Sequence, residues 1–116
     1  MLKEKNLKVW GNKNVVRDFV YVEDLAKATL KLLKKNIKKP INFSLGKGYS
    51  IRELAEKINK ISGRDLKIIY DTKMPSSAKF RVLNNGLSNK KLKIKKTSLD
   101  DGLKYTINWY KKNYLL

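Results

Sequence analysis

Hydrophobic and polar positions follow two periods along the chain, and their order predicts strands alternating with helices. Alternation with a period of two predicts short strands at residues 7–10 and 66–70. Runs rich in β-branched and aromatic residues predict two more strands, at 18–22 and 41–45, and a short extended segment at 80–83. Strands that alternate with helices are typical of an α/β architecture, which is the fold class we expect.

The first helix is predicted directly after the strand at 18–22. Its apolar and small residues recur at the spacing of one helix face, which should be buried: Leu25, Ala28, Thr29, Leu32 and Leu33. Glu23 and Asp24 lie where the helix dipole favours acids, and the lysines between 34 and 39 lie where it favours cations. Pro40 is expected to stop this helix.

Capping signals predict the remaining helices. Ser50 and Glu53 form the pattern of a capping box, and Gly63 is a favourable C-terminal stop. A short helix is predicted at 87–94, and a last helix capped by Thr97 or Ser98. The last helix should bury a stripe of four residues: Leu99, Leu103, Ile107 and Tyr110.

Composition limits the chemistry. The 116 residues fit a single domain over residues 1–116 or part of one, and 41% of them are hydrophobic. The chain has no cysteine and no histidine, which excludes disulfides, thiolate metal sites and the commonest general base. We predict neither a metal site nor a catalytic residue. The absence of a long apolar run or a signal-peptide pattern predicts a cytoplasmic protein without a membrane partner.

The net charge of +18 favours polyanionic ligands such as nucleic acid or phosphorylated small molecules. The lysines are spread along the whole chain, however, and no helix carries a basic face with interleaved aromatic residues. A nucleic-acid-binding module is therefore an alternative that we do not favour.

Two arginines are the candidates for binding a phosphorylated ligand. Arg17 opens an apolar stretch and Arg81 follows a loop, and guanidinium groups match phosphate oxygens with paired donors. Judged by residue type alone, each could equally be a surface cation, and Trp10 could equally be a core residue. The segment 46–48 lies between strand and helix but lacks the glycines and serine or threonine of phosphate-binding loops, so we interpret it as a turn.

Four stretches resemble the C-terminal part of the NAD-dependent epimerase/dehydratase family, the extended short-chain dehydrogenases that act on nucleotide sugars. They are VWG at 9–11 with RDFVYVEDL at 17–25, INFSLG at 41–46, SIRELA at 50–55, and TSLDDGL with TINWY at 97–110. They occur in the family's order over nearly the whole chain. The stretch around Trp10 and residues 71–83 resemble the GDP-L-fucose synthase branch in particular, with a UDP-glucose 4-epimerase type as the alternative.

The resemblance implies roles for four residues in substrate binding. The tryptophan and arginine of the VWG…RDF segment touch the nucleotide sugar in that family, and they fall on Trp10 and Arg17. A basic residue of its loop falls on Arg81, and Lys73 replaces a lysine near Pro75. Ser76 and Ser77 replace the family's Asp-Gly, which leaves the nucleotide and sugar open.

The resemblance also implies what is missing. The family's GxxGxxG turn and YxxxK pair are absent, so we expect only the C-terminal portion of an extended Rossmann-type nucleotide-sugar enzyme, with few short strands, three to four helices and most of the Rossmann core missing. NADP or NAD would serve the intact enzyme, and no cofactor is expected for this chain alone. The implied partners are a GDP- or UDP-sugar, a Rossmann half in cis or in trans, and a second copy in a homodimer.

Overall fold

The computed structural model describes residues 5–75 and 78–114, and within those ranges it contains four helices and five short strands. The helices are α1 (Val22–Leu33), α2 (Ile51–Ser62), α3 (Gly86–Leu92) and α4 (Leu99–Tyr114). The strands are β1 (Asn6–Trp10), β2 (Val16–Asp18), β3 (Gly48–Ser50), β4 (Lys67–Asp71) and β5 (Phe80–Arg81). The α/β class predicted from the sequence is confirmed.

Residues 6–18 and residues 67–81 lie next to each other in both sheets. β1 pairs in parallel with β4, from Asn6 opposite Lys67 to Trp10 opposite Asp71. The second sheet has the order β3-β2-β5, in which β2 pairs in parallel with β5 and antiparallel with β3. The same two segments therefore pair in the first sheet and again in the second. This pairing brings together residues that are about 64 positions apart in the sequence.

The strand predicted at 18–22 is misplaced. β2 covers Val16–Asp18, and Val22 already opens α1. Tyr21 has an extended backbone (φ −71°, ψ 135°) as the residue before the helix, so the β-rich stretch is extended there without a ladder partner. Pro40 was expected to stop α1, but the helix already ends at Leu33, before the lysines between 34 and 39.

The strand predicted at residues 41–45 is also absent. A strand needs a neighbour to satisfy its backbone groups, and within the described ranges no strand pairs with this segment. Side chains form some of the hydrogen bonds to the backbone of this segment. The carboxylate of Asp18 accepts hydrogen bonds from the N–H groups of Leu45 (3.0 Å) and Gly46 (3.1 Å), and the Asn85 amide donates to the Ser44 carbonyl (3.1 Å).

The predicted caps are confirmed. The Ser50 hydroxyl accepts a hydrogen bond from the N–H of Glu53, and the Glu53 carboxylate accepts one from the N–H of Ser50. Gly63 ends α2 with φ at 71°, a conformation that glycine adopts without strain. Ser98, rather than Thr97, caps α4 by accepting from the N–H of Asp101 at 3.1 Å.

The core is small and the molecule is flat. Its principal extents are 50 × 36 × 18 Å and its radius of gyration is 16.5 Å, against about 13 Å for a compact domain of this length. The prediction that one face of α1 is buried is wrong for most of its members: Ala28 is buried, but Leu25 and Leu33 are 43% and 79% exposed. Over residues 5–75 and 78–114, α3 is the element that α1 contacts most, and it leaves these side chains uncovered. Among the residues that the structure describes, five apolar side chains are fully or nearly buried: Val15, Ala28, Ala55, Leu92 and Leu99.

No helix in the described part of the chain is both long enough and apolar enough to span a lipid bilayer.

Candidate functional site

The register of β2 and β5 places the two candidate arginines side by side. Arg17 is the direct partner of Arg81 across the parallel pair. Register partners project their side chains from the same face of a sheet, and neighbouring strands lie about 4.8 Å apart. Arg17 is half-buried and Arg81 is exposed. The sequence predicted both as phosphate ligands from separate segments, and the structure brings them together.

The Arg17 guanidinium is engaged with backbone carbonyls. One terminal nitrogen (Nη1) donates to the carbonyl of Val16 at 2.6 Å, and the other (Nη2) donates to the carbonyl of Ala78 at 2.8 Å. The second bond crosses from β2 to the segment that leads into β5. Arg17 therefore has a structural contact with the same segment that carries Arg81.

Sequence reasoning missed two residues of this site, Tyr49 and Lys47. Tyr49 is the register partner of Arg17 on the β3 side, so Tyr49, Arg17 and Arg81 form one row across the sheet. The Lys47 ammonium lies 5.2 Å from the centroid of the Tyr49 ring, within the range of a cation–π contact. Predicting β3 as a strand would have revealed this row, but three residues beginning with glycine carry little strand signal.

Gly48 lets β3 approach its neighbours. A Cβ atom at this position would lie 2.6 Å from Val16 Cγ1 and 2.7 Å from Val82 Cγ2. Real Cβ contacts are longer, so only glycine fits without displacement. Residues 46–48 were interpreted as a turn rather than a phosphate-binding loop, and the N–H of Gly46 donates to the Asp18 carboxylate at 3.1 Å.

Trp10 and Lys73 lie at the end of the other sheet, around Asp71. Trp10 is the register partner of Asp71 and is 67% exposed, and the N–H of Lys73 donates to Asp71 Oδ1 at 3.2 Å. The ammonium of Lys8 lies 3.1 Å from Asp71 Oδ2. This hydrogen bond with Lys8 is the main reason that the pKa of Asp71 is lowered, with the N–H of Lys73 adding to it.

The four predicted residues thus lie at two places. Arg17 and Arg81 are partners in the second sheet, and Trp10 and Lys73 lie at the end of the first sheet. Trp10 precedes the connection from β1 to β2, and Lys73 lies in the connection from β4 to β5. An exposed indole and two or three cations can bind a planar group and a diphosphate. Within residues 5–75 and 78–114 no group of three or more acidic side chains is placed to hold a metal ion.

Comparisons with known proteins show which family the chain resembles. The model of the NAD-dependent epimerase/dehydratase family matches residues 1–46. Over 106 residues the chain is 33% identical to GDP-L-fucose synthase 1 of Arabidopsis thaliana, and the match covers 90% of this chain and 33% of that protein. The chain therefore resembles part of a member of the NAD-dependent epimerase/dehydratase family. It is also 31% identical over 113 residues to UDP-glucuronate 4-epimerase of Thermodesulfobacterium geofontis, a match that covers 96% of this chain and 35% of that protein.

Solved structures agree with this placement. UDP-glucose 4-epimerase from Thermotoga maritima, determined with UDP-glucose, superposes with a TM-score of 0.84 at 27% identity, over 92% of this chain and 35% of that one. The epimerase from Bifidobacterium longum, in complex with NAD+ and UDP, gives 0.81 at 25% identity, over 96% and 36%. GDP-L-fucose synthetase from Naegleria fowleri, bound to NADP, gives 0.84 at 20% identity over 95% and 36%, which shows the fold alone.

The chain spans about a third of the length of the curated relatives it matches. It therefore has only a small part of the family fold. The Naegleria and Bifidobacterium structures hold NADP and NAD+, respectively, which supports the use of a nicotinamide cofactor by intact members of the family. The named relatives are nucleotide-sugar enzymes and give no support to a nucleic-acid-binding module.

Proposed function

We propose that this chain is the substrate-binding part of an NAD(P)-dependent nucleotide-sugar epimerase or reductase of the GDP-L-fucose synthase type. In the intact enzyme, this type converts GDP-4-keto-6-deoxymannose to GDP-L-fucose. The observation that carries the proposal is the register of Arg17 with Arg81, which places two guanidinium groups on one face of a sheet. The 33% identity to a GDP-L-fucose synthase supports the same substrate class.

In this proposal each pair of residues binds a different part of the substrate. Arg81, exposed at the sheet edge, donates paired hydrogen bonds to the diphosphate, and Arg17 lies next to it. Trp10 offers an exposed indole face to the nucleotide or sugar, and Lys73, two residues after β4, adds a cation at the end of the same sheet. These residues bind and orient the substrate. We propose that hydride and proton transfer belong to parts of the enzyme outside these 116 residues, so that the chain alone neither binds NADP nor catalyses.

Calorimetric titration of the chain with GDP and with UDP tests this proposal. R81A should weaken nucleotide binding about tenfold or more, as expected for loss of a charge-assisted hydrogen bond. K79A is the matched control because it removes one exposed positive charge two positions away, and it should change the affinity less than twofold. Equal losses in the two variants would indicate unspecific attraction to a chain of charge +18 and would contradict the proposal.

The second candidate is a UDP-sugar epimerase, and the same titration separates it from the fucose synthase type. The matches to UDP-glucuronate and UDP-glucose 4-epimerases are the observations that favour this second candidate. GDP binding tighter than UDP supports the fucose synthase type, and the reverse order supports the epimerase type.

We also propose that a Rossmann half, in cis or in trans, covers the outer face of α1. That face exposes a stripe of apolar side chains: Val22 (69%), Leu25 (43%), Leu30 (63%) and Leu33 (79%). Co-expression with the remaining two thirds of a GDP-L-fucose synthase, as a separate chain, should give a complex that turns over the keto sugar with NADPH. Failure of the two pieces to co-purify would count against this partner. A homodimer and a cytoplasmic location stay predictions.

A further inference from the structure

Asn85 and Gly86 form the one Asn-Gly dipeptide of the sequence, at the start of α3. In such a dipeptide the glycine nitrogen can attack the side-chain amide carbon of the asparagine, because glycine has no Cβ atom to hinder the approach. The new C–N bond closes a succinimide ring, and the amide nitrogen leaves as ammonia with the proton of the glycine N–H. Water then opens the ring to aspartate or isoaspartate, so the reaction needs no enzyme and no reagent besides water.

The first turn of α3 restrains the Gly86 nitrogen. Asn85 has φ −107° and ψ 13°, which directs its peptide bond with Gly86 into the helix. The Asn85 carbonyl accepts hydrogen bonds from the N–H of Asn89 and from the hydroxyl of Ser88, both at 2.9 Å. The N–H of Gly86 donates to Asn84 Oδ1, also at 2.9 Å. Ring closure requires rotation about the Cα–C bond of Asn85, and this rotation breaks the hydrogen bonds to its carbonyl.

The side-chain amide of Asn85 is restrained as well. Its nitrogen donates to the carbonyl of Ser44 at 3.1 Å, and its oxygen accepts from the Asn89 amide at 3.0 Å. The amide also packs directly on Gly46, where an added Cβ atom would overlap Asn85 Nδ2. Both reacting groups of the dipeptide are therefore immobilised in the folded chain.

We propose that Asn85 is a site of spontaneous modification to aspartate or isoaspartate, and that opening of the first turn of α3 controls its rate. The closed turn blocks the rotation that ring closure needs, and the open turn leaves a reactive dipeptide. The rate therefore follows the population of the open form, as for other reactions of locally unfolded chains. This inference does not rest on the proposed function.

The products do not fit the site that Asn85 occupies. An ionised aspartate has no donor for the carbonyl of Ser44. Isoaspartate continues the chain through its side-chain carbon, which adds a backbone atom directly before α3. Since α3 carries Ser88 and Leu92, which are 1% and 0% exposed, a chain that has reacted should lose stability.

Incubation of the 116-residue chain in mildly alkaline buffer tests the proposal. Trypsin then releases residues 82–90, in which mass spectrometry locates the replacement of NH2 by OH. The chain unfolded in guanidinium chloride should react at Asn85 at least about tenfold faster than the folded chain, because unfolding removes every restraint on the dipeptide. In the unfolded chain, G86A should slow the reaction about tenfold or more, because its Cβ atom hinders the attack.

N89A tests the restraint within the folded chain. It removes the donor to Asn85 Oδ1 and should raise the rate about threefold or more, without an effect in guanidinium chloride. N113A is the matched control, because the Asn113 amide also donates to a residue four positions earlier, the carbonyl of Trp109. K96A removes the other partner of the Asn89 side chain, the Lys96 ammonium at 2.6 Å. Both controls should change the rate less than about twofold.

Equal rates in the folded and the unfolded chain would overturn the control by α3. An N89A rate no higher than that of N113A would overturn it too. A faster reaction at any other asparagine of the unfolded chain would show that Asn85 is the wrong site. If N89A fails to fold, the comparison of the folded with the unfolded unsubstituted chain still decides the proposal.

Discussion

The carboxylate of Asp24 accepts two hydrogen bonds from Thr97, although 73 positions separate the two residues. The N–H of Thr97 donates to Oδ2 at 2.6 Å, and its hydroxyl donates to Oδ1 at 3.1 Å. Asp24 is only 3% exposed. Both residues lie next to helix starts, so the pair fixes the beginning of α1 against the beginning of α4.

We predict that removing this carboxylate destabilises the fold. D24A should lower the free energy of unfolding by about 2–4 kcal/mol, because it removes two charge-assisted hydrogen bonds and leaves the N–H of Thr97 without its acceptor. Urea denaturation measures the change. E23A is the matched control, since Glu23 is the preceding acid but is exposed, with a 3.7 Å contact to Lys27 and a 3.2 Å hydrogen bond from the hydroxyl of Tyr21. It should cost less than about 0.5 kcal/mol. Similar losses in the two variants would contradict a special role for Asp24.

A second prediction concerns the close approach of β3 to β2. G48A should destabilise the chain by about 1–3 kcal/mol, because the added methyl group would overlap Val16 and Val82 and force them apart. The control is G86A. The nearest atom to its added methyl group would be Asn84 Oδ1, at 3.2 Å, so a small shift accommodates it. Thermal unfolding of both variants checks the expectation, and equal melting temperatures would refute it.

Local signals in the sequence predicted the elements that depend on local contacts. Three capping features could be predicted because their hydrogen bonds join residues within about four positions of each other. They are the capping box of Ser50 and Glu53, the helix stop at Gly63 and the cap at Ser98. The strands β1 and β4 were also close to their predicted positions. Arg17 and Arg81 were named as candidates from residue type and then from a family resemblance, but nothing in the sequence alone places them beside each other.

The features that sequence reasoning missed depend on distant partners. Residues 41–45 have the composition of a strand, yet a strand forms only where a neighbouring strand completes its hydrogen bonds. Asp24 was interpreted as a partner of the helix dipole, and its bond to Thr97 required knowing where α4 begins. One face of α1 was predicted to be buried, yet Leu25 and Leu33 of that face are exposed, because an apolar pattern cannot tell whether a covering surface is present. The substrate roles of Trp10, Arg17, Lys73 and Arg81 stay predictions.

The pKa of Glu53 predicts a dependence of stability on acid pH. This pKa lies below its usual value of 4.5, first because the carboxylate accepts the N–H of Ser50 and then because it accepts the Ser50 hydroxyl. A carboxyl whose pKa is lower in the folded state stabilises the fold fully above its unfolded pKa and loses that contribution as the pH falls through the folded pKa. The gap in melting temperature between the unsubstituted chain and E53Q should therefore be largest above about pH 5 and shrink towards pH 3.

S50A provides the comparison for this prediction, because it removes the hydroxyl of the same capping box. Its melting temperature should also fall at neutral pH, and E53Q should add less in the S50A background than alone. A gap that stays constant from pH 7 to pH 3 would show that the capping box does not perturb Glu53.

The last prediction concerns the outer face of α1. Replacing Leu30 and Leu33 together with glutamine should leave the melting temperature within about 2 °C, because both side chains are largely exposed and glutamine is a good helix former. L92Q, at a position that is 0% exposed, should unfold the chain. Sedimentation velocity should show less self-association in the double variant than in the unsubstituted chain, because exposed apolar surface is what drives it. Co-purification with a separately expressed Rossmann half should be lost at the same time. If the double variant is as destabilised as L92Q, the side chains of Leu30 and Leu33 belong to the core of this chain, and α1 has no outer face left for a partner.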